Sequence, residues 1–239
     1  MLQLIPLPYY AQEKSGVFAI DAHLKVNSDF ELKLLNLERS QDGKLKIKKD
    51  SSLDNEEYKL EVTNNEINIS ASSEKGALQT LRQLGRFELG GKEIPCCVIN
   101  DKPRFSWRGL QLDESRHFFG KEYVKKMLDM MFMMKLNVFH WHLTDDTGWR
   151  IEIKKYPLLT EIGSKRAYTQ INGWGSTDII NEPYEGYYTQ AEIKEIIAYA
   201  DERGIMVVPE IDFPAHCAAA IAAYPWLACR ELNRDVPGY

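Results

Sequence analysis

The sequence predicts an α/β protein in two parts: a small α+β unit over residues 1–101 and a parallel α/β region over residues 102–239. Three observations carry this expectation. Apolar residues alternate with polar ones around an Asn-Asn pair in the first part, the mark of an antiparallel hairpin with one buried face. Helical spacing follows directly. Beyond residue 102, strand-like and helix-like segments take turns, which is the order that builds a parallel sheet.

In the first part, Leu45 and Ile47 alternate with lysines, then Tyr58, Leu60 and Val62 alternate, and Ile67 and Ile69 follow Asn64-Asn65. The segment SSEKGALQTLRQLG then puts Ala77, Leu78, Leu81 and Leu84 on one side of a helix, with Gly85 as the expected stop. A sheet covered on one face by that helix is the predicted result. Lys46, Lys48 and Lys49 read as its solvated face.

Pro95 and Pro103 bracket the polar turn INDKPRF, after which the pattern changes. RGLQLDES reads as a strand, a helix is predicted over 121–135, and NVFHWHL is the second strand. Residues 148–188, rich in Gly, Tyr and Trp, form a connection long enough to carry structure or function of its own. Thr189 and Glu192 then make a capping box, Ile193, Ile196, Ile197 and Ala200 an apolar stripe, and Gly204 a stop. IMVVPEIDF is a nearly continuous apolar strand, as expected of one covered on both faces, and AAAIAAYPWLA opens a further helix. The methionines 127, 130, 131, 133 and 134 read as core and gap-filler.

Composition narrows the function. With 27% charged residues and a net charge of −5, the chain lacks the basic excess of a nucleic-acid binder. It has no apolar run of the ~18 residues that a membrane helix needs. The start MLQLIPLPYYAQEKSG does not follow the pattern of a secretory signal. Cys96, Cys97, Cys217 and Cys229 have no metal-binding spacing and are expected to be small buried or free thiols.

The three predicted strands of the second part all end in ionisable groups. The first ends in Asp113, Glu114, Ser115, Arg116 and His117, the second in His140, His142, Asp145 and Asp146, and the third in Glu210, Asp212 and His216. The C-terminal ends of parallel strands are where α/β folds bind ligands, so the convergence of three predicts an active site there. His140-x-His142 on one strand face is also a zinc arrangement if other strands supply further ligands. The competing reading is a pair of imidazoles hydrogen-bonded inside the fold. Of the five tryptophans, Trp174 in the Gly-flanked NGWGS loop is the candidate sugar platform.

These residues lie in motifs that resemble a known family. PRFSWRGLQLDESRHF, NVFHWHLTDDTGWRIEIKKYPLLTEIG and YTQAEIKEIIAYADERGIMVVPEIDFPAH are similar, in order and spacing, to motifs of glycoside hydrolase family 20, the β-N-acetylhexosaminidases. GALQTLRQL resembles the helix of that family's small N-terminal domain, and the resemblance runs from about residue 50 onward. It implies a (β/α)8 barrel, here its first three βα units, preceded by a non-catalytic domain. It implies retaining release of terminal β-linked N-acetylglucosamine or N-acetylgalactosamine, with no cofactor or metal. The nucleophile in this family is the substrate's own 2-acetamido oxygen, one of the exceptions to the two-carboxylate scheme.

By position, Arg116 resembles the arginine that grips hydroxyls of the terminal sugar, with His142 and Trp174 as further substrate contacts. Asp145 and His216 resemble the supporting carboxylate-histidine pair, Asp146 being the alternative register for the aspartate. Two departures stand out. Ala215 occupies the place of the family's glycine before His216, which predicts a differently seated loop if that glycine takes positive φ. The family's catalytic Asp-Glu pair has no match among residues 1–239, so the chain is expected to hold the N-terminal part of an enzyme and to be inactive alone. Two other readings remain open at this point: an inactive carbohydrate-binding relic, and a metal-dependent barrel hydrolase using His140 and His142.

Overall fold

The computed structural model describes residue 4 and residues 6–88, 93–173, 176–230 and 234–238. Contacts divide the chain into two units, residues 1–108 with 129–137 and 202–205, and residues 109–128 with 138–201 and 206–239.

The first unit holds strands β1 (Tyr10–Ala19), β2 (Val26–Ser28), β3 (Leu45–Lys49), β4 (Tyr58–Val62), β5 (Ile67–Ala71) and β6 (Glu93–Asp101), with helix α1 (Glu74–Glu88) between β5 and β6. They form one mixed sheet in the order β1-β6-β4-β5-β3-β2. The predicted hairpin is β4–β5, antiparallel with Val62 opposite Ile67. Ile47, Leu60, Val62, Ile67 and Ile69 are at most 1% exposed and pack with Ala77, Leu78 and Leu84 of α1. Each such aliphatic side chain contributes about 1.5–3 kcal/mol through burial.

Three features of this unit depart from expectation, the first being that Ile99-Asn100-Asp101 of the predicted polar turn lie in strand β6, paired with Leu60, Lys59 and Tyr58 of β4. Helix α1 continues through Gly85 to Glu88, since an interior glycine costs only about 1 kcal/mol and does not by itself end a helix. Strand β1 was not foreseen, because all of its residues except Phe18 are exposed and no period-2 signal survives on such an edge.

The second unit is built on a parallel sheet in the order β15-β8-β7, from β7 (Gly109–Asp113), β8 (Val138–His142) and β15 (Met206–Glu210). Helix α2 (Lys121–Met133) follows β7, α4 (Gln190–Asp201) precedes β15, and α5 (Ala218–Ala223) with a 3-10 turn over Pro225–Leu227 follows it. The capping box forms as predicted: the Thr189 amide donates to Glu192 at 2.9 Å and the Glu192 amide to Thr189 Oγ1 at 3.2 Å.

Burial corrects several expectations here. Strand β15 lies at the edge of its sheet with a largely unburied pattern, so it lacks the second neighbour that a strand covered on both faces has. Ile197 is 46% exposed although Ile196 and Ala200 are buried. Only Met131 of the methionine run is fully buried, while Met130 and Met134 face solvent.

The long connection after β8 carries its own structure, as predicted. It contains the antiparallel pair β9 (Thr144–Asp145) and β10 (Gly148–Trp149), then α3 (Leu158–Glu161). Two further short pairs follow, β11 (Lys165–Arg166) with β14 (Tyr184–Glu185) and β12 (Thr169–Gln170) with β13 (Ile179–Ile180). Trp149 and Leu159 pack against the alanines of α5. Among the described residues no helix is long and apolar enough to cross a membrane. All four cysteines are free, three of them buried.

Candidate active site

Register brings the site together. Asp113 pairs with His142, and Glu210 with His142 from the other side, so three ionisable groups from three strands stand side by side at the C-terminal ends. His140 and His142 share one face of β8 because side chains alternate along a strand, and both rings turn to the same carboxylate. Glu210 Oε2 lies 2.5 Å from His140 Nε2 and 2.9 Å from His142 Nδ1.

Just past β8 the chain turns back, and this turn buries Asp145 to 3% exposure. Its carboxylate has partners on every side. Oδ2 meets His142 Nε2 at 3.1 Å and Arg116 Nη2 at 2.5 Å. Oδ1 accepts the Asp146 amide at 2.6 Å and contacts His216 Nδ1 at 3.1 Å. Arg116 is half-exposed and reaches forward from the end of β7, with Nη1 2.7 Å from Asp113 Oδ2. His142 Nε2 also lies 3.1 Å from that Nη1. With the ring hydrogen directed at Asp145, this is proximity of two cations and not a bond.

Charge follows from geometry. The hydrogen bond to Asp145 raises His142 to about 9, against its burial and with help from Glu210, so it is an imidazolium at neutral pH. Burial pushes the Asp145 carboxyl up, but His142, the Asp146 amide and the Arg116 charge outweigh it and hold the group below the usual carboxylate range. Glu210 is treated alike: burial raises it and the two histidines bring it below its ordinary value. The result is an alternating chain of charges, Glu210, His142, Asp145 and Arg116.

His216 arrives from beyond β15 with φ of 50°, in the left-handed region where histidine is tolerated better than most residues. Ala215 is not in that region. The residue replacing the family's glycine therefore escapes the predicted strain, and its neighbour takes the unusual backbone. The ring of His216 is half-exposed. Asp146, the alternative to Asp145, accepts the Ala218 amide at the start of α5 at 2.9 Å and stands 3.6 Å from His216. It is Asp145 that meets Arg116 and His142. Trp174 lies outside the described residues.

Among the described residues, two groups have ligand atoms within 4.8 Å of one another, as a metal ion would require: His142 with Glu210 and Asp212, and Asp145 with Asp146 and His216. His140, expected as a zinc ligand in the metal reading, belongs to neither. Its Nε2 is spent on Glu210.

A second layer stands behind this cluster; of its residues, the sequence singles out Glu114 as a strand-end group but gives Arg150 and Tyr184 no role. Arg150 is fully buried and donates to backbone carbonyls alone. Nη2 reaches Ser115 O at 2.8 Å, Nη1 reaches Ser164 O at 2.7 Å and Gly186 O at 2.9 Å, and Nε reaches Glu114 O at 3.2 Å. Burial draws Arg150 down to about 10, so it stays cationic at neutral pH. The Tyr184 hydroxyl accepts the Phe118 amide at 2.7 Å and donates to the Phe118 carbonyl at 2.9 Å. Glu114 accepts the Phe119 amide at 3.1 Å. Burial pushes its carboxyl up to about 7, with that amide and the Tyr188 hydroxyl pulling it back. The sequence signals for this layer were Glu114 at the end of the first strand, the Gly-Trp-Arg that follows the paired aspartates, and the length of the 148–188 connection.

Comparison with known proteins agrees with the motifs. The model described as "Glycosyl hydrolase family 20, catalytic domain" matches residues 105–237, and "Glycosyl hydrolase family 20, domain 2" matches residues 20–102. A beta-hexosaminidase of Vibrio furnissii is 40% identical over an alignment of 245 positions that covers 95% of this chain and 40% of that protein. One from Porphyromonas gingivalis is 37% identical, with 95% of this chain matching 32% of the relative. Among solved structures, a GH20 exo β-N-acetylglucosaminidase from Vibrio harveyi, in complex with N-acetylglucosamine, aligns with a TM-score of 0.82 at 37% identity, covering 93% of this chain and 38% of that one. A β-N-acetylhexosaminidase from Bacteroides fragilis gives 0.84 at 35% identity, covering 98% and 49%. The chain thus spans 32–40% of the length of these two curated relatives.

Proposed function

The chain belongs to glycosyl hydrolase family 20, and on that premise we propose that the protein carrying it is a retaining β-N-acetylhexosaminidase. Its substrate is a terminal β-linked N-acetylglucosamine or N-acetylgalactosamine of an oligosaccharide or glycoconjugate. The observation that carries this reading is the meeting of Arg116 and His216 on Asp145, each contributed by the segment that follows one of the three parallel strands. We assign the division between the two domains to 101/102, near where the domain 2 match ends at residue 102 and the catalytic-domain match begins at 105.

The chemistry assigned to each residue follows from its surroundings. The half-exposed Arg116 guanidinium is anchored on one side by Asp113 and Asp145, and its remaining N–H groups suit two neighbouring sugar hydroxyls, a geometry that lysine cannot reproduce. Asp145 holds His216 by Nδ1, which leaves Nε2 free to pass a charge effect to a general acid. An imidazole backed by a carboxylate shifts the acid's affinity for its proton as that acid turns into a base. The nucleophile is the 2-acetamido oxygen of the substrate.

On this reading residues 1–239 alone lack the acid and turn over poorly, because losing a general acid typically costs about 10²–10⁴-fold. The test is hydrolysis of an aryl N-acetyl-β-glucosaminide by residues 1–239 and by the product of the complete reading frame, each with and without a chelator. Turnover is expected from the complete product only, and the chelator is expected to leave it unchanged. Robust turnover by residues 1–239 would overturn the assignment of roles. Chelator-sensitive activity restored by zinc would move the chemistry to the His142-Glu210-Asp212 group.

A further inference from the structure

We propose that the connection following β8 is a clamp that aims Arg116, with Arg150 and Tyr184 as its two positioning residues. The inference rests on the sugar-gripping role given to Arg116 above and deepens it.

The observations bracket Arg116 along the chain. One residue before it, the Ser115 carbonyl is held by Arg150 at 2.8 Å. Two residues after it, the Phe118 amide and carbonyl are both held by the Tyr184 hydroxyl, at 2.7 and 2.9 Å. The backbone is therefore fixed on both sides of a side chain that is itself half-exposed and needs to be aimed. Both holding groups come from the same connection, which Arg150 also ties together through Ser164 O and Gly186 O.

The local sequence accommodates this arrangement. A Cβ on Gly148 would collide with the Arg150 guanidinium, and one on Gly186 with the Phe118 ring. Two glycines thus leave room for the clamp and for the loop it grips. Arg150 has no carboxylate partner among its hydrogen bonds, so its charge is satisfied by carbonyl dipoles from separate segments. That is the behaviour of a hub for backbone, and its position beside residue 115 turns the hub into a device for setting the direction of residue 116. Positioning of this kind matters because a displacement of about 1 Å at a substrate-holding group can cost about 10²-fold.

Tyr184→Phe isolates the effect, since it keeps the ring packed on Arg166 and His117 and removes only the hydroxyl. In the complete protein, with the aryl N-acetyl-β-glucosaminide as substrate, the variant is expected to raise KM about threefold to tenfold with kcat little changed. In an Arg116→Ala background the same substitution should change kcat/KM by less than about twofold, because the clamp has nothing left to aim. Its effect on Tm should be the same in both backgrounds. An equal loss of kcat/KM in both backgrounds, or an unchanged KM in the single variant, would reduce Tyr184 to a structural residue and overturn the clamp.

A second readout separates this proposal from the activity itself. Arginine-selective 15N NMR of residues 1–239 should show faster exchange of the Arg116 Nε–H in Tyr184→Phe than in the parent. A complete protein without hexosaminidase activity, or an Arg116→Ala variant with parental kinetics, would remove the functional reading. The exchange rate would then decide the clamp by itself, and an unchanged rate would overturn it.

Discussion

Arg116 and Arg150 mark two regions only a few residues apart in space, and they are built on opposite rules. Around Arg116 the partners are ionised side chains, Asp113 and Asp145, and one side of the guanidinium faces solvent. Around Arg150 the hydrogen-bond partners are carbonyl oxygens and no solvent reaches the group. The outer cluster leaves part of its guanidinium open to solvent. The inner one has spent its bonding capacity on the fold. A charge near a strand end is therefore read correctly only once its partners are known, since these two arginines, close in space, have opposite surroundings.

The largest effect that tests this contrast is on stability. Arg150→Met leaves several buried carbonyls without a donor, and each bond to a charged group is worth about 1.5–3 kcal/mol. A loss of at least about 3 kcal/mol is expected in the unfolding free energy from urea titration of the second unit. Arg116→Met should cost less, because Arg116 is half-exposed and the buried Asp145 keeps His142, His216 and the Asp146 amide as partners. Equal costs would erase the distinction between the two regions.

The next effect is on turnover. Arg116→Lys in the complete protein keeps the charge and loses the fork. A raised KM is expected, with at least about tenfold lower kcat/KM, while the Tm stays within a few degrees. Kinetics like the parent's would remove Arg116 from the site.

A pH dependence spreads its effect over several pH units, and the two regions should show it in different windows. Glu114, in the inner region, has its folded value raised to about 7 from an ordinary 4.5. The folded state therefore holds the extra proton between those values, and stability falls as pH rises from about 4.5 through 7. His142, in the outer region, is raised to about 9 from 6.5, so its contribution is complete below 6.5 and is lost as pH rises through 9. Neither slope can exceed about 1.4 kcal/mol per pH unit. Denaturant midpoints measured across pH should lose the lower window in Glu114→Gln and the upper one in His142→Gln. A lower window that persists in Glu114→Gln would contradict the assignment.

The outer cluster was legible in the sequence because strand ends advertise it: ionisable types after three apolar runs cannot all be core. Register then did the rest, since parallel pairing in step places Asp113, His142 and Glu210 abreast. The choice between Asp145 and Asp146 was not legible. It depends on which carboxylate the β9–β10 turn buries, and adjacent identical residues carry no pattern that tells them apart. In the inner layer only Glu114 stood at a strand end; its other two members were invisible for a deeper reason. Arg150 and Tyr184 bind backbone, and every residue has a carbonyl, so no complementary residue type marks their partners. In the first unit the same logic applies to β1, whose exposed edge follows no alternation, whereas the β4–β5 hairpin showed itself through one buried face.

The role of Asp145 is the centre of this account, and the pH profile of Asp145→Asn in the complete protein tests it most directly. Hydrolysis of the aryl N-acetyl-β-glucosaminide would be followed across pH with a chelator present throughout. Asparagine fills the same space but removes the counter-charge that Arg116, His142 and His216 share. The expected result is a kcat lower by about 10²-fold or more, a displaced pH profile, and no response to the chelator. A variant that keeps near-parental kcat and profile while the chelator abolishes activity would contradict the account, and would place the chemistry on a metal held by the histidine side of the cluster.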